Sequence, residues 1–358
     1  MYKKILLINP FGIGDVLFTT PIIHTLKDAS PQVKIGYLCN QRSATILENN
    51  PYVDSVFIYE RDEFEAVRKK SFLAWLKKII VFLNQIKKER FNVALDFSLN
   101  TQYGFFVWYA GIRERVGYDF KRRGRLLTKK IKLSGYNDKH IVEYYADLLK
   151  YLGLDLKHRQ LELYLKKENM ERVEEILVKE GLKQVDFLIG IIPGAGKSWG
   201  KDARLKHWPP ENFAQLADKI IENYQAKIII VGDFSEKEIA KSVMSKMHYD
   251  AIDLTGKTTM GELAALLSKM KVVVTNDGGP LHIAVALGIK SVSIFGPVDE
   301  RVYGPYPPSD RHIVIKKDIA CRPCYQKFRI PACDRYRYRE CISSISIEDV
   351  FSAVSRLL

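Results

Sequence analysis

Four glycine-containing stretches of this sequence each follow an apolar run and each carry residues suited to holding an anion or a hydroxyl group. They are "NPFGIGD", "PGAGKS", "GDFSE" and "NDGGPLH". Glycine lets a ligand approach the backbone, and the free N–H groups at the start of a helix attract phosphate. Carboxylates accept hydrogen bonds from sugar hydroxyls. The chemistry that these residue types support is the binding of a phosphorylated, hydroxyl-rich substrate.

The first stretch is not a dinucleotide-binding turn. Gly12 and Gly14 fit the start of G-x-G-x-x-G, but position 17 is Leu17, and the following apolar run "KIGYLCN" ends without the acidic residue that would bind ribose. What remains is a strand, a turn and a helix whose most unusual residue is Asp15.

The second stretch departs from the phosphate-binding P-loop, because Ile191 occupies the position of that motif's first glycine. We interpret it as a long basic loop in which Gly194 and its neighbours bring backbone N–H groups to a phosphate. The charge would come from one or more side chains of the loop, namely Lys197, Lys201, Lys206 or His207. The alternative is a solvated loop whose lysines have no ligand. The next helix is expected at "PPENFAQLADKI", with prolines in its first turn.

The fourth stretch predicts a helix that starts directly after a buried strand, at Gly278 and Gly279. Such a start offers free N–H groups and a positive dipole end to a phosphate. Asp277 would accept bonds from hydroxyls or from the turn, and His282 would donate to a phosphoryl oxygen. The alternative is that Asp277 caps the helix and His282 packs against the sheet.

Glu236 follows another strand, in the first turn of the next predicted helix, where a carboxylate could bind the two hydroxyls of a ribose or serve as an ordinary first-turn residue. The four stretches contain no D-x-D motif, so nothing in them suggests a divalent ion that bridges a diphosphate. Lysines and helix dipoles would have to stabilise that charge.

Four cysteines lie close together near the C-terminus. They are Cys321, Cys324, Cys333 and Cys341. Three interpretations stay open: a structural zinc site, reduced cysteines that pack in the interior, and redox-linked disulfides. The spacing of the second pair departs from the usual zinc pattern, so zinc is not favoured.

Two further regions are strongly basic. "IRERVGYDFKRRGRLLTKKIKL" is expected to be a loop, and its arginines suit phosphate or carboxylate groups. "KKSFLAWLKKIIVFLNQIKKERF" predicts an amphipathic helix with lysine pairs around its apolar surface. That helix either packs in the core with solvated lysines, which is the favoured interpretation, or lies on an anionic membrane.

Composition is typical of a globular protein with two domains. The chain has 358 residues, of which 47% are hydrophobic and 27% are charged. It contains no signal-peptide pattern and no apolar run of the ~18 residues that span a bilayer, so we expect a cytoplasmic protein. The net charge of +14 predicts an anionic partner. An anionic membrane surface, a phosphorylated small molecule or nucleic acid would satisfy that prediction. Nucleic acid ranks lowest of the three and is not expected, because the basic residues form neither a long tail nor an RNA-binding pattern interleaved with aromatics.

The apolar runs alternate with helical segments in two series, which predicts an α/β protein with two doubly wound parallel sheets. The first series contains "KILLI", "VKIGYL", "VDSVFIY" and "NVALDF", and the second begins at "FLIGIIP". Between them, "LELYLKKENMERVEEILVKEGLKQVD" reads as a strand, a polar helix and a glycine stop. Ligands of such sheets bind beyond the carboxyl ends of the strands, where all four glycine-containing stretches fall.

In order and spacing, these stretches resemble the heptosyltransferases, the inverting glycosyltransferases of family 9 that add ADP-activated heptose to the inner core of lipopolysaccharide. The resemblance spans nearly the whole chain. It is carried by "GIGDVLFTTPIIHTLK", "PGA" with "KHWPPENFAQLA", "G…SE", "DLTGKTTMGELAALL", "TNDGGPLHIAVALGIKSVSIFGPVDE" and the terminal "CRPC…C…C".

The resemblance implies a GT-B fold, in which two Rossmann-like domains face a central cleft. Residues 1–170 would bind the acceptor, residues 171–344 would bind the nucleotide sugar, and residues 345–358 would form a closing helix. It also implies a metal-independent enzyme without a cofactor, because the ADP-sugar is a co-substrate. The acceptor would be an anionic lipid-linked glycan, which requires peripheral contact with the inner face of the cytoplasmic membrane.

Carried over by position, Asp15 matches the catalytic base. Residues implied to bind the nucleotide sugar are Gly194, Lys206, Glu236, Asp277, Gly278, Gly279 and His282. Residues expected to face the acceptor are Gly14, Arg113, Arg115, Arg122 and Arg123. Two other function classes stay open at this point: a nucleotide-sugar epimerase of similar fold, and a non-catalytic module that binds anionic glycans.

Overall fold

The computed structural model describes residues 2–183, 186–333 and 338–358, without the side chains of residues 197–199 and 201. Two compact units make up the chain. The first consists of residues 1–136 and 141–160, and the second of residues 137–140 and 161–358.

The first unit is built on a six-stranded parallel sheet in the order β3-β2-β1-β4-β5-β6. Its strands are β1 (Lys4–Ile8), β2 (Lys34–Cys39), β3 (Ser55–Ile58), β4 (Val93–Asp96), β5 (Glu114–Phe120) and β6 (Lys129–Leu133). The central strands are aliphatic runs that are buried along nearly their whole length, as expected when helices cover both faces of a sheet.

The helices of this unit are α1 (Ile13–Leu17), α2 (Thr20–Ala29), α3 (Gln41–Ala44), α4 (Arg61–Lys70), α5 (Phe72–Glu89), α6 (Thr101–Tyr109) and α7 (Ile141–Asp147), followed by the 3-10 turn Leu149–Leu152. α5 and α6 cover the same face of the sheet, because their inward side chains belong to one hydrophobic cluster. Ser71 begins α5 by accepting a hydrogen bond from the N–H of Ala74.

The second unit contains another six-stranded parallel sheet, in the order β12-β11-β10-β7-β8-β9. Its strands are β7 (Leu188–Ile192), β8 (Lys227–Ile230), β9 (Ile252–Asp253), β10 (Val272–Asn276), β11 (Lys290–Phe295) and β12 (His312–Lys316). Two 3-10 segments, Lys197–Lys206 and Phe234–Glu236, follow β7 and β8.

The helices of the second unit are α8 (Lys167–Lys179), α9 (Pro210–Tyr224), α10 (Lys237–Met244), α11 (Met260–Leu267), α12 (Gly279–Ala286), α13 (Glu300–Tyr303), α14 (Glu340–Ser343) and α15 (Ile347–Leu357). The terminal helix α15 packs with α9 in the core of this unit. None of the helices formed by the described residues combines the length with the apolar character that crossing a bilayer demands.

Both sheets have one topological switch point, where the chain leaves a central strand toward opposite sides. It lies between β1 and β4 in the first sheet and between β7 and β10 in the second. Loops at the carboxyl ends of these strands diverge and leave a crevice for ligands. We call the edges formed by these strand ends the first and second carboxyl edges.

The predicted pair of doubly wound sheets is confirmed, and two local predictions are wrong. The basic region expected to be a loop contains β5 and β6, whose pairing with the sheet interior outweighs their charged composition. No strand forms over residues 161–166, although the polar helix α8 that follows does form. The alternating pattern there has no neighbouring strand to pair with.

Candidate active site

Asp15 is the third residue of α1, at the first carboxyl edge. The chain leaves β1, turns through Gly12 and begins the helix, and Asp15 Oδ2 accepts a hydrogen bond from the Gly12 N–H at 3.1 Å. This bond closes the first turn of the helix and fixes the carboxylate beside the helix start. Asn9 supports the same turn by donating to the Asp15 carbonyl oxygen at 2.9 Å.

The charge of this carboxylate acts on three buried tyrosines. Burial raises the pKa of Tyr37, Tyr136 and Tyr145 well above the usual phenol value, and the negative charge of Asp15 adds to the rise at each of them. Their hydroxyl groups therefore stay protonated around neutral pH. No phenolate charge therefore develops beside the Asp15 carboxylate at that pH.

Asp96 is a second carboxylate at the first carboxyl edge, and the sequence analysis did not select it. It ends β4 and pairs in register with Ile8 of β1, so it stands at the switch point. Its Oδ1 accepts a hydrogen bond from the Ser98 N–H at 2.8 Å. Burial raises its pKa to about 6, although the Ser98 bonds lower it. The signal that could have revealed it is an acidic residue at the end of the otherwise apolar run "NVALDF".

The structure separates the four arginines that were expected to act together. Arg122 and Arg123 follow the end of β5 and therefore lie at the first carboxyl edge, where the Arg123 N–H donates to Phe120 O at 3.1 Å. Lys121 and Arg122 adopt left-handed backbone conformations, with φ of 53° and 60°. A turn held in this conformation by non-glycine residues is strained, and such strain concentrates at ligand sites.

Arg113 and Arg115 lie instead at the start of β5, at the opposite edge of the sheet from Asp15. The Arg115 guanidinium donates to the carbonyl oxygens of Leu126 and Ile112, each at 2.6 Å, and so fastens the connection between β5 and β6. Arg113 lines an open groove of about 1050 Å³ on that far side. Their proximity in sequence to Arg122 hid this separation, because a strand lies between the two pairs.

Lys206 and Asp277 form a buried ion pair at the second carboxyl edge. Their Nζ and Oδ2 atoms are 2.6 Å apart, and the two side chains are 6% and 7% exposed. Asp277 does not cap α12, because the N-cap residue is Gly278. The pair ties the end of the basic loop to the strand end from which α12 starts.

Asn276 joins three segments at this edge and was also missed. Its amide donates to the carbonyl oxygens of Pro193 and Gly194, at 2.7 and 3.1 Å, while its Oδ1 accepts from the Trp208 N–H at 3.0 Å. It is fully buried. The sequence signal was present, since Asn276 begins the "NDGG" stretch, but a polar residue at a strand end does not reveal its partners.

Glu236 fills the space beneath the loop after β7. One carboxylate oxygen accepts from the Gly196 N–H at 2.8 Å and the other from the Asp233 N–H at 2.7 Å. A Cβ on Gly194 would overlap the Glu236 carboxylate. The glycine at 194 therefore makes room for this acid, which is a different role from the phosphate contact expected for its backbone.

The start of α12 lies at the switch point of the second sheet. Gly278 approaches the loop after β7 so closely that a Cβ there would lie 3.2 Å from Ala195 O. His282, in the first turn, is buried, and burial followed by the charges of His140 and Lys206 lowers its pKa to about 3. His282 is therefore neutral at physiological pH. The same applies to His207, whose pKa is lowered to about 4 by burial and by Arg339 and Lys206.

Residues 79–331 match the sequence model of glycosyltransferase family 9 (heptosyltransferase). The chain belongs to this family. It is therefore a glycosyltransferase, and its two doubly wound sheets are those of the GT-B fold.

Among known proteins, this glycosyltransferase is similar to lipopolysaccharide heptosyltransferase 3 of Escherichia coli K12, with 23% identity over 352 residues that cover 96% of this chain and 95% of the relative. It is also similar to lipooligosaccharide heptosyltransferase 2 of Campylobacter jejuni, with 22% identity over 99% of both chains. Its fold matches the crystal structure of a family 9 glycosyltransferase from Veillonella parvula, with a TM-score of 0.81, 24% identity and coverage of 99% and 97%.

In the structure none of the four cysteines of the cluster is joined to another in a disulfide. Burial and then the neighbouring thiols raise the pKa of Cys324, and they raise that of Cys341 to about 11. Mutual influence of this kind requires that the four side chains lie near one another. The three interpretations stay predictions, and metal analysis of the purified protein separates zinc from the other two.

One group among the described residues brings three potential metal ligands within 4.8 Å of one another, and it consists of His24, Asp28 and His158. His158 Nε2 lies 3.2 Å from Asp28 Oδ2, and the two imidazole rings stack with centroids 3.6 Å apart. Asp28 is near the end of α2, which runs away from the first carboxyl edge. This group is therefore remote from Asp15.

The side chains of Lys197 and Lys201, which were alternatives to Lys206 as the diphosphate contact, lie outside the described part of the chain. The P-loop interpretation stays rejected, because the backbone after Gly196 forms 3-10 turns interrupted at Gly200 rather than an α-helix. α9 begins at Pro210, so the helix expected at "PPENF" is confirmed.

Proposed function

We propose that this chain is an inverting, metal-independent heptosyltransferase that transfers heptose from an ADP-sugar to the inner core of lipopolysaccharide or a similar anionic, lipid-linked glycan. Family membership supports the class of reaction, and the names of the relatives support the choice of sugar and acceptor. We place the reaction at the cytoplasmic face of the membrane, where a nucleotide sugar and a lipid-linked acceptor can meet.

The observation that carries the proposal is the position of Asp15, fixed beside a helix start at the switch point of the first sheet. In the proposed step an acceptor hydroxyl oxygen attacks the anomeric carbon of the donor and forms the new glycosidic bond. The bond from that carbon to the diphosphate oxygen breaks, and the electron pair leaves with ADP. The hydroxyl proton passes to the Asp15 carboxylate, and attack from the face opposite the leaving group inverts the anomeric centre.

ADP gains negative charge as it leaves, and we assign its stabilisation to Lys206 and the start of α12. An ammonium group has three donors, so Lys206 can hold Asp277 and still donate to a phosphoryl oxygen. The N–H groups at the start of α12 and the neutral His282 supply further donors. These groups are preorganised by burial, which favours charge stabilisation in the transition state.

Glu236 is assigned to the ribose of the donor. Each carboxylate oxygen can accept more than one hydrogen bond, so its bonds to the N–H groups of Gly196 and Asp233 leave acceptor capacity for hydroxyls. Arg122 and Arg123, at the first carboxyl edge, are assigned to the anionic groups of the acceptor.

Asp15→Asn tests the base directly. The amide keeps the shape of the side chain and cannot accept the proton, so turnover should fall by about 10²- to 10⁴-fold while the affinity for ADP, measured by calorimetry, stays unchanged. Asp28→Asn, a change of an exposed acid on α2, is the matched control and should retain full activity. Near-normal turnover of Asp15→Asn would refute the assignment.

Two further measurements test inversion and metal independence. The anomeric configuration of the product, read from its NMR coupling constants, should be opposite to that of the donor. Turnover should survive exhaustive chelation of divalent ions. Retained configuration, or activity that chelation abolishes and magnesium restores, would contradict the proposed mechanism, and a sugar altered without any acceptor would favour an epimerase.

A further inference from the structure

The start of α5 exposes large apolar side chains that have no place in the core. Phe72 and Leu73 are 61% and 77% exposed, and Leu76 is exposed as well. The first buried residue of this helix is Ile79, two turns after its start. A soluble helix normally turns its apolar stripe inward, so an apolar surface of this kind marks a site of interaction.

This end of α5 projects beyond the first carboxyl edge. With 18 residues α5 is about 27 Å long, whereas the five residues of β1 span about 17 Å. Only residues 90–92 link α5 to the start of β4, so the last turn of the helix lies at the opposite edge. Its first two turns therefore extend about 10 Å past the edge that carries Asp15.

Basic residues surround the same apolar end. α4 and α5 form a helical hairpin whose connection is Ser71, and α4 ends in Lys69 and Lys70. Lys77 is exposed one turn further along α5. Within the part of the chain that the structure describes, these three lysines have no carboxylate within 4.0 Å, in contrast to Lys78, which pairs with Glu63. We call residues 69–77 the hairpin tip.

An anionic bilayer fits both properties of the hairpin tip. Apolar side chains of an interfacial helix enter the boundary between headgroups and acyl chains, while lysines contact lipid phosphates. A second copy of this chain fits poorly, because a twofold interface would bring the same three lysines face to face. The net charge of +14 adds a general attraction to an anionic surface.

We propose that the hairpin tip docks on an anionic phospholipid bilayer, with Phe72, Leu73 and Leu76 in the headgroup boundary and Lys69, Lys70 and Lys77 on lipid phosphates. Docking places the first carboxyl edge against the membrane surface. Docking in this orientation would present Asp15 to a lipid-linked acceptor, and this consequence rests on the proposed function. The docking itself does not depend on the proposed function.

Flotation of the full-length protein with vesicles tests the docking. Wild type should bind vesicles of mixed phosphatidylcholine and phosphatidylglycerol, should bind phosphatidylcholine alone far more weakly, and should be released by salt. The double variant Phe72→Ser, Leu73→Ser should lower the partition by about tenfold or more. Lys69→Glu with Lys70→Glu should lower it by a similar factor at low salt.

Matched controls lie on the second unit. Val178 is 72% exposed at the end of α8, so Val178→Ser removes an equally exposed apolar group elsewhere. Lys179→Glu with Lys183→Glu makes the same change of charge at exposed positions. Both controls should bind vesicles like wild type. Equal loss in the controls and in the tip variants, or wild type that does not bind anionic vesicles, would overturn the proposal.

Two measurements separate the other outcomes. Sedimentation equilibrium should give the same oligomeric state for wild type and for Leu73→Ser. Self-association of wild type that Leu73→Ser abolishes would assign the hairpin tip to a second copy of the chain instead. With an acceptor that lacks acyl chains, the tip variants should turn over like wild type. Asp15→Asn should lose turnover and still bind vesicles, so failure of the catalytic assignment leaves the docking result intact.

Discussion

The buried carboxylates at the two carboxyl edges of this glycosyltransferase have different hydrogen-bonding partners. At the second edge Asp277 is neutralised by an ammonium group 2.6 Å away. At the first edge Asp96 accepts hydrogen bonds from Ser98, which carries no charge, and its pKa rises to about 6. A paired acid holds loops in position, whereas an acid held by neutral donors keeps proton affinity near neutral pH. The two edges therefore differ in whether a positive charge compensates the buried carboxylate.

The largest expected effect concerns the pair at the second edge. Lys206→Met leaves Asp277 buried and uncompensated and should lower the free energy of unfolding by about 3–5 kcal/mol. Adding Asp277→Asn should recover most of that loss, while ADP affinity stays reduced because the cation is missing. Lys269→Met, which breaks a partly exposed pair with Glu174, should cost less than about 1 kcal/mol. Denaturant unfolding and calorimetry measure both quantities, and a similar cost for the two lysines would erase the contrast between a buried pair and a surface pair.

The next largest effect is expected for Asp96→Asn, which should raise the free energy of unfolding at neutral pH rather than lower it. The pKa of Asp96, about 6 in the folded protein, lies above the ordinary value of 3.8, so between about pH 4 and 6 the folded state holds a proton that the unfolded state has lost. The free energy of unfolding attributable to this group therefore falls as pH rises through that window. Asp96→Asn should flatten this dependence and stabilise the protein at pH 7 by about 2–3 kcal/mol. The check is denaturant unfolding at pH 4.5 and 7, and identical pH slopes for variant and wild type would show that Asp96 is not held in a low-dielectric site.

Glycine substitutions should distinguish the two edges at a smaller scale. Gly194→Ala places a Cβ where the Glu236 carboxylate lies and forces that carboxylate away from the N–H groups of Gly196 and Asp233. The variant should therefore bind ADP about tenfold more weakly. Gly12→Ala is the control at the first edge, because its Cβ would meet Asp15 Oδ2 at an ordinary contact distance of 3.6 Å. Its ADP affinity should match wild type by calorimetry. An equal loss of ADP affinity in both variants would show that the overlap with Glu236 is not what weakens binding.

The smallest expected effect is a difference in KM for the acceptor between variants of Arg122 and Arg113. Arg122→Ala should raise KM for the acceptor by about five- to tenfold, because it removes a charge-assisted hydrogen bond at the first carboxyl edge. Arg113→Ala, an exposed residue at the opposite edge, should leave KM unchanged. Steady-state kinetics with varied acceptor decides the matter. The reverse ranking would place the acceptor on the far side of the sheet.

The sequence determined the two parallel sheets, because aliphatic runs of five or six residues spaced by helices bury well only between two helical layers. It also located the glycine-containing turns at strand ends, including the one that carries Asp15, since glycine and Asp have strong local preferences there. These signals act over a few residues and can be read without knowing the partners.

Only the tertiary structure decided which residues meet. Strand order set Asp96 beside β1 and divided Arg113 from Arg122, and no local pattern contains strand order. The pairing of Lys206 with Asp277, across 71 positions in sequence, and the place of Glu236 beneath Gly194 depend on how separate loops converge at a switch point. Burial, which shifts the pKa of Asp96 and His282, is likewise a property of the packed molecule. The sequence supplied the groups, and packing fixed their distances and charges because both depend on contacts between residues far apart in the chain.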